Sequence, residues 1–132
     1  MHGEMILIGD ELITGRIGDA NLQVTASHLW ALGLRIEHVQ MIGDDPGDIT
    51  KSFELARRAD FIIVSGGLGT TEDDITNEVA ADFFKLPVKE HPVMLANLKE
   101  LATAKKWIFK DSHRRQAMMP EGVDLLDKFS AG

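Results

Sequence analysis

The chain has 132 residues, and its 44% apolar and 27% charged residues are typical of a single compact globular domain. Acidic residues outnumber basic ones 21 to 14, so the net charge of -7 disfavours a protein that binds nucleic acid through a basic face. The absence of cysteine excludes disulfides and thiolate metal sites, and no apolar run approaches the roughly 20 residues that cross a membrane. Since the N-terminus also lacks a basic secretory signal, we expect a cytoplasmic protein without a membrane partner.

The N-terminal part of the sequence predicts a strand followed by a helix. Residues 4–8 form a short apolar run that indicates a buried strand. Apolar residues then recur at helical spacing, at Leu22, Ala26, Leu29 and Leu32. We expect Asp19 to cap this helix and Gly33 to end it.

The same alternation continues along the chain. Residues 34–42 predict a second strand, and a helix that starts at Pro46 follows. The apolar face of that helix comprises Ile49, Phe53 and Ala56. Residues 61–64 are continuously apolar and predict a central parallel strand that is buried on both faces.

The last part of the chain predicts two helices and a strand. A helix is expected from near Thr71, because Thr71 and Asp74 have the spacing of a capping box. Residues 91–106 show a further helical pattern, and residues 123–126 predict a last short strand. Three strand–helix units in alternation predict an α/β domain with a mainly parallel sheet.

The strongest functional pattern lies at residues 65–76, where a strand turns into a helix. Glycines at such a turn let backbone amides approach a phosphate. Asp73 and Asp74 would lie in the first helical turn, where they can hold a divalent ion, and Asp73 can orient a water. The candidate ligand-binding residues are Gly66, Gly67, Gly69, Thr70, Thr71 and Thr76. The alternative is a turn whose carboxylates only complement the helix dipole.

Two further acidic clusters follow predicted strands. Gly9, Asp10 and Glu11 come directly after the first strand, and Asp44 and Asp45 follow the second. Taken alone, each cluster is better explained as a turn whose acidic residues cap a helix. Because the carboxyl ends of parallel strands meet at one edge of a sheet, we expect all three clusters at the same edge. This arrangement favours metal-assisted chemistry on a phosphate or pyrophosphate.

Two other features have less specific interpretations. Residues 113–116 form a small basic cluster, which either receives a phosphate or carboxylate or simply ends a helix. Trp30 and Trp107 are expected to pack against apolar residues rather than to stack on a base.

Several segments occur in the order and spacing of a known family and cover nearly the whole chain. They are Gly9-Asp10-Glu11-Leu12 with Gly15, Asp19 and Asn21; Ala31-Leu32-Gly33; Gly43-Asp44-Asp45; Gly66-Gly67-Leu68-Gly69 with Thr71, Asp73, Asp74 and Thr76; and Arg115-Gln116-Ala117 with Pro120-Glu121-Gly122. With them the chain resembles the N-terminal domain of the CinA family of competence/damage-inducible proteins, among the MoaB/MogA-like molybdopterin-binding domains.

The resemblance implies one domain over residues 1–132 with a three-layer α/β/α fold, a mainly parallel sheet and assembly into homodimers or homotrimers. The CinA branch is linked to metal-dependent hydrolysis of ADP-ribose to AMP and ribose 5-phosphate. In the molybdenum-cofactor branch, similar domains bind molybdopterin and adenylylate it with magnesium. A non-catalytic ligand-binding or assembly module is the third alternative. The longer first loop, which contains Asp10 and Asn21, favours the CinA branch.

The resemblance also implies roles for individual residues. The phosphate-cradling glycines correspond to Gly66, Gly67 and Gly69, and the two catalytic and metal-binding aspartates correspond to Asp44 and Asp74. The ligand site of the first loop corresponds to Gly9, Asp10 and Glu11, with Asn21 at the start of the first helix. The implied cofactor is Mg²⁺ or another divalent metal, and the implied ligand is a nucleotide or pterin phosphate.

Two features depart from the family's pattern. CinA-like domains usually carry proline after Gly-Leu-Gly, where this chain has Thr70, and this should loosen the turn. The family also continues with an Asn-Pro-containing glycine loop that closes the ligand site, of which residues 127–132 keep at most a remnant. We therefore expect a fold that is truncated at the C-terminus, in which binding is retained more readily than turnover.

Overall fold

The computed structural model describes residues 1–126. The chain divides into two compact units, Met1–Gly67 and Leu68–Gly132, each with buried apolar residues of its own. The remnant of the closing loop expected at residues 127–132 lies outside the described residues. Within residues 1–126, no helix has both the length and the apolar character needed to cross a membrane.

The first unit is built on a parallel sheet. Its elements are β1 (His2–Ile8), α1 (Asp10–Ile13), α2 (Asn21–Ala31), β2 (Arg35–Ile42), α3 (Pro46–Ala56) and β3 (Phe61–Ser65). The three strands lie in the order β2-β1-β3, and both pairings are parallel. The connection from β1 to β2 and the connection from β2 to β3 run in opposite directions along the sheet. Because such crossovers are right-handed, they place α2 and α3 on opposite faces of the sheet. The expected α/β fold with a parallel sheet is confirmed.

The centre of this sheet is β1. Residues 5–8 of β1 are at most 2% exposed, as expected for a strand covered on both faces. The prediction that residues 61–64 form the central strand is wrong, since β3 lies beside β1 at the edge of the three-stranded sheet and is half-buried. Both runs are equally apolar, and the order of the strands is set by the crossovers rather than by the runs themselves.

The ends of the helices follow the local sequence closely. The Asp19 carboxylate accepts hydrogen bonds from the amides of Asn21 and Leu22 at 3.2 and 2.9 Å, so this residue caps α2 as expected. Gly33 follows α2 with a φ of 79°, a left-handed conformation that favours glycine. Asp45 caps α3 by accepting from the amide of Asp48 at 2.9 Å.

The two helices differ in how much they bury. The expected apolar face of α3 is confirmed, because Ile49 and Phe53 are buried beneath it. The corresponding prediction for α2 is partly wrong, since Leu32 is 75% exposed and α2 contains no fully buried residue. The packing expected of Trp30 is also wrong, because its side chain is 71% exposed. Helical spacing identifies a face, but it does not show how far that face is covered.

The second unit combines helices with a short ribbon. Its described elements are α4 (Thr76–Phe83), β4 (Val88–Glu90), α5 (Pro92–Lys105), α6 (Asp111–Arg114), a 3-10 turn (Arg115–Ala117) and β5 (Met118–Pro120). Strands β4 and β5 pair antiparallel, with Val88 opposite Pro120. Met94, Leu98 and Ala117 form a buried cluster beside this ribbon. Trp107 is half-buried, and its ring lies 5.0 Å from the ring of His113.

Two predictions for the second unit are wrong. Helix α4 begins at Thr76 instead of near Thr71, because the hydrogen bonds of residues 71–74 close a turn that does not continue as helix. No strand forms at residues 123–126, and the last strand of the described chain is Met118–Pro120. Within that segment Leu125 packs against the Met94 cluster, whereas Leu126 is exposed.

The position of β1 leads to a test of the core. Leu7 is fully buried, so Leu7→Ala should lower the free energy of unfolding by about 2–5 kcal/mol through lost burial and the cavity left behind. Leu32→Ala is the matched control, because this leucine is exposed and should change stability by less than about 0.5 kcal/mol. Urea unfolding of both variants measures the difference, and equal effects would contradict the assignment of β1 to the core.

Candidate functional site

The order of the strands marks one place in the first unit for a ligand. The chain runs from β1 to β2 on one side and then crosses from β2 to β3 on the other side of β1. Ligands of open α/β sheets bind outside the carboxyl ends of the strands at the point where the direction of connection changes. In this sheet that point lies between the ends of β1 and β3.

The turn after β3 brings the backbone directly against β1. Gly66 and Gly67 have φ values of 100° and 71°, conformations that side-chain-bearing residues rarely adopt. A Cβ atom at Gly66 would collide with the carbonyl oxygen of Ile8. Since a side chain fits here neither conformationally nor sterically, the wall of the candidate site is formed by backbone.

The first two acidic clusters meet at this edge of the sheet. The Asp44 carboxylate accepts a hydrogen bond from the amide of Asp10 at 3.1 Å, and the Asp10 carboxylate accepts from the amide of Asp44 at 3.0 Å. The amide of Gly9 donates to the carbonyl of Ile42 at 2.9 Å, which joins the ends of β1 and β2. A Cβ atom at Gly43 would collide with the Asp10 carboxylate. The expectation that these two clusters share an edge is confirmed.

Two polar side chains connect α2 with the end of β3. The amide group of Asn21 donates to the hydroxyl of Ser65 at 2.7 Å. Asn21 was expected at the ligand site, whereas Ser65 was not among the candidates. The signal for Ser65 was its place directly before Gly66, at the carboxyl end of a strand. Glu11 lies nearby, since a Cβ atom at Gly9 would collide with its carboxylate.

The second unit contains the remaining candidates, in the loop that precedes α4. The Asp74 carboxylate accepts hydrogen bonds from the hydroxyl and the amide of Thr71 at 2.7 and 2.9 Å. Gly69 lies against the same carboxylate, because a Cβ atom there would be 2.7 Å from Asp74 Oδ2. Asp73 is exposed, Thr70 is half-buried, and Thr76 is buried at the start of α4. Gly69, Thr71 and Asp74 are thus brought together within this unit.

The loop lowers the pKa of the Asp74 carboxyl. Partial burial by itself raises the pKa of this carboxyl, but the hydrogen bonds from Thr71 and Gly69 lower it, and the positive charge of Arg115 lowers it further. The net effect is a pKa below the ordinary value of an aspartate. Asp74 is therefore an anion throughout the neutral pH range.

Arg115 and Gln116 of the basic cluster contact this same loop. Arg115 Nη2 donates to the carbonyls of Asp74 and Glu72 at 3.2 and 3.5 Å, and to the Glu78 carboxylate at 3.3 Å. Gln116 Nε2 donates to the carbonyl of Leu68 at 3.3 Å. The two residues are thus engaged by the protein itself. Sequence reasoning missed this role, since about 40 residues separate the partners and no spacing rule connects them.

The candidate metal ligands fit a cation that arrives with its substrate. Among residues 1–126, no group of three or more His, Cys, Asp or Glu side chains is placed to hold a metal ion. Mg²⁺ is commonly held by only one or two carboxylates, and phosphate oxygens and water complete its coordination. The carboxylates of Asp10 and Asp44, fixed by backbone amides, meet that requirement within the first unit. The expected metal pair was Asp44 with Asp74, and these two residues lie in different units.

Comparison with known proteins shows which family has this arrangement. A family model described as "Probable molybdopterin binding domain" matches residues 4–122. The chain belongs to this family. It is 37% identical to the CinA-like protein of Rippkaea orientalis and 41% identical to the CinA-like protein of Thermosynechococcus vestitus, each over 96% of this chain. The domain spans about 30% of the length of these relatives.

Solved structures show the same fold. The structure of CinA from Thermoplasma acidophilum superposes with a TM-score of 0.81 and 26% identity, over 92% of this domain and 71% of that chain. The molybdopterin biosynthesis enzyme MoaB of Thermus thermophilus superposes with a TM-score of 0.58 and 21% identity, over 76% and 63% of the two chains. The molybdopterin-binding fold that the sequence motifs implied is therefore confirmed.

The hydrogen bonds of Asp74 predict a pH-dependent contribution to stability. Thr71→Val removes the hydroxyl donor and should cost about 1 kcal/mol of unfolding free energy at pH 7. Because the folded-state pKa of Asp74 is lowered, this contribution is present above the unfolded pKa of about 4 and is lost as the pH falls through the folded pKa.

Denaturant unfolding at pH 7 and at lower pH checks this expectation. Thr103→Val is the control, because the Thr103 hydroxyl donates to the Lys99 carbonyl, which does not titrate. A loss for Thr71→Val that stays constant with pH would show that the hydroxyl does not act through the ionised carboxyl.

Proposed function

We propose that this domain binds the pyrophosphate of a nucleotide such as ADP-ribose together with a divalent cation, and hydrolyses it. The observation that carries the proposal is the turn at Gly66 and Gly67, whose backbone lies against the Ile8 carbonyl at the change of direction between β1 and β3. Phosphate oxygens need a close approach to backbone, and a glycine wall permits it. The similarity to CinA-like relatives favours this ligand, because the sequence resemblance to the CinA branch implied hydrolysis of ADP-ribose.

Asp10 and Asp44 are the proposed carboxylates for the cation in the first unit. Their reciprocal hydrogen bonds hold both carboxylates at the edge of the sheet where β1 and β2 end. When bound, Mg²⁺ would offset the negative charge of the phosphate oxygens. The chain's own contribution is to hold the two carboxylates in fixed positions before the ligand arrives.

The proposed reaction is the hydrolysis of a phosphoanhydride. A water oxygen adds to one phosphorus, the bond from that phosphorus to the bridging oxygen breaks, and AMP and ribose 5-phosphate leave as protons pass to the solvent. Asp73 is exposed and is proposed to orient the water. Asp74 is ionised at neutral pH and is proposed as a second carboxylate required for turnover.

Molybdopterin binding or adenylylation is the second candidate. It is favoured by the description of the family model that matches residues 4–122. Molybdopterin carries a phosphate, which could meet the same glycine backbone as a pyrophosphate. The ligand that binds the folded state will raise the melting temperature, so thermal denaturation with each ligand separates the two candidates.

The cytoplasmic location and the homo-oligomeric assembly also stay proposals.

Calorimetric titration of ADP-ribose with Mg²⁺, combined with product analysis, tests the proposed function. Asp44→Asn and Asp74→Asn should each lower AMP release by at least about 100-fold, because each removes a charge that the reaction requires. Asp82→Asn is the matched control, since Asp82 lies exposed on α4 and should keep wild-type turnover.

Each result has a distinct meaning. Metal-dependent binding and AMP release that are lost in Asp44→Asn or Asp74→Asn support hydrolysis. Binding without release indicates a non-catalytic ligand-binding module. Wild-type turnover in both variants would contradict the proposed roles of the two aspartates, and stabilisation by molybdopterin alone would favour the second candidate.

A further inference from the structure

Two adjacent side chains of the second unit hold both ends of the loop that carries Asp74. Gln116 contacts the carbonyl of Leu68, where the loop begins, and Arg115 contacts the carbonyl of Asp74 and the Glu78 carboxylate, where the loop passes into α4. Among the described residues, the Asp74 carboxylate is hydrogen-bonded by Thr71 and not by these two side chains. They act on the backbone of the loop and on the first turn of the helix that follows.

The turn that carries these two side chains is itself anchored. Arg115 and Gln116 belong to the 3-10 turn Arg115–Ala117, which leads directly into β5. Ala117 is fully buried, and its carbonyl accepts a hydrogen bond from the amide of His91 at 2.7 Å. The Asp74 loop is therefore linked through two side chains to a fixed part of the core of this unit.

The geometry of Arg115 suits the holding of a backbone. A guanidinium is planar and always charged, and its Nη2 group contacts two backbone carbonyls of the loop and the Glu78 carboxylate, so a shift of the loop would weaken several contacts at once. Arg115 Nε is buried and makes no hydrogen bond with the described residues. Such a group calls for an explanation, because buried donors are nearly always satisfied. The contacts of Nη2 with the loop explain it, because they fix the guanidinium in an orientation in which Nε has no hydrogen-bond partner.

We propose that Arg115 and Gln116 are positioning residues that hold the loop of residues 68–76 so that the Asp74 carboxylate stands in its working position. This inference rests on the proposed function, in which Asp74 is required for turnover. It goes further by assigning the basic cluster a structural target inside the protein instead of a ligand. Arg115 also adds positive charge beside Asp74, which helps to lower the pKa of that carboxyl.

Four variants separate positioning from general stability. Arg115→Gln removes the positive charge and the guanidinium, whereas Arg115→Lys keeps the charge and loses the planar guanidinium. Gln116→Leu removes the contact with the Leu68 carbonyl. Arg114→Gln is the matched control, because the neighbouring Arg114 pairs with Glu90 at 3.6 Å, away from the loop.

The first readout is structural and needs no substrate. In Arg115→Gln the amides of Thr71 and Asp74 should lose roughly tenfold in hydrogen-exchange protection, while the amides of α5 keep theirs. The pKa of the Asp74 carboxyl, followed by carbon NMR, should rise in Arg115→Gln and stay close to wild type in Arg115→Lys. Arg114→Gln should change neither quantity.

The second readout is catalytic. A misplaced carboxylate should lower kcat for ADP-ribose by roughly 10- to 100-fold while KM changes little. Arg115→Lys should lose less of kcat than Arg115→Gln does, because it keeps the charge but not the planar guanidinium. Arg114→Gln should have wild-type kcat and KM.

The two readouts keep this inference and the proposed function distinguishable. Unchanged exchange and an unchanged Asp74 pKa in Arg115→Gln would overturn the positioning role, whatever the wild-type activity. Lost protection in a wild-type protein that never turns over ADP-ribose would overturn the proposed function and leave the structural link in place. Lost protection with wild-type kcat would overturn the claim that the position of Asp74 matters for turnover.

Discussion

The approach of Gly66 to the carbonyl oxygen of Ile8 constrains the rest of the first unit. Only glycine can occupy a position where the backbone has a φ of 100° and where a Cβ atom would collide with the neighbouring strand. This contact depends on β1 being the central strand, since a central strand has neighbours on both sides. The ends of β1 and β3 are thereby brought together with backbone, and not side chains, between them.

Around this contact, polar groups of the first unit are held by hydrogen bonds between residues that are far apart in the sequence. Asp10 and Asp44 each accept the backbone amide of the other, and Asn21 donates to Ser65. Carboxylates that accept backbone N–H groups are fixed in position. A set of fixed anions next to a glycine wall suits a cation that carries a polyphosphate, which is the chemistry proposed for the domain. In the second unit, hydrogen bonds from Thr71 fix the Asp74 carboxylate, and together with the positive charge of Arg115 they lower the pKa of that carboxyl.

The sequence was informative where the signal is local. The Asp19 carboxylate was expected to cap a helix and accepts from amides of the first turn of α2, and Gly33 ends that helix as expected. The strand–helix alternation was enough to predict a parallel sheet and, with it, the meeting of the first two acidic clusters. These features depend on a few neighbouring residues or on the regular geometry of parallel strands, so they can be inferred without coordinates.

The wrong predictions concern features that depend on packing between residues far apart in the sequence. Two equally apolar runs competed for the central strand, and the crossovers assigned it to β1. The spacing of Thr71 and Asp74 matched a capping box, yet their hydrogen bonds close a turn and α4 begins later. The exposure of Trp30 and the contacts of Arg115 with residues 72–78 depend on which surfaces are covered in three dimensions. No periodicity in the sequence contains that information.

The central claim is that a phosphate-bearing ligand binds at the ends of β1 and β3. The most direct measurement is a titration of the isotopically labelled protein with ADP-ribose and Mg²⁺, in which the backbone amide signals are followed by NMR. The account expects the largest shifts at Gly66 and Gly67 and at residues 9–11. Saturable binding whose shifts fall elsewhere, for example on the exposed side of α2 around Trp30, would contradict it.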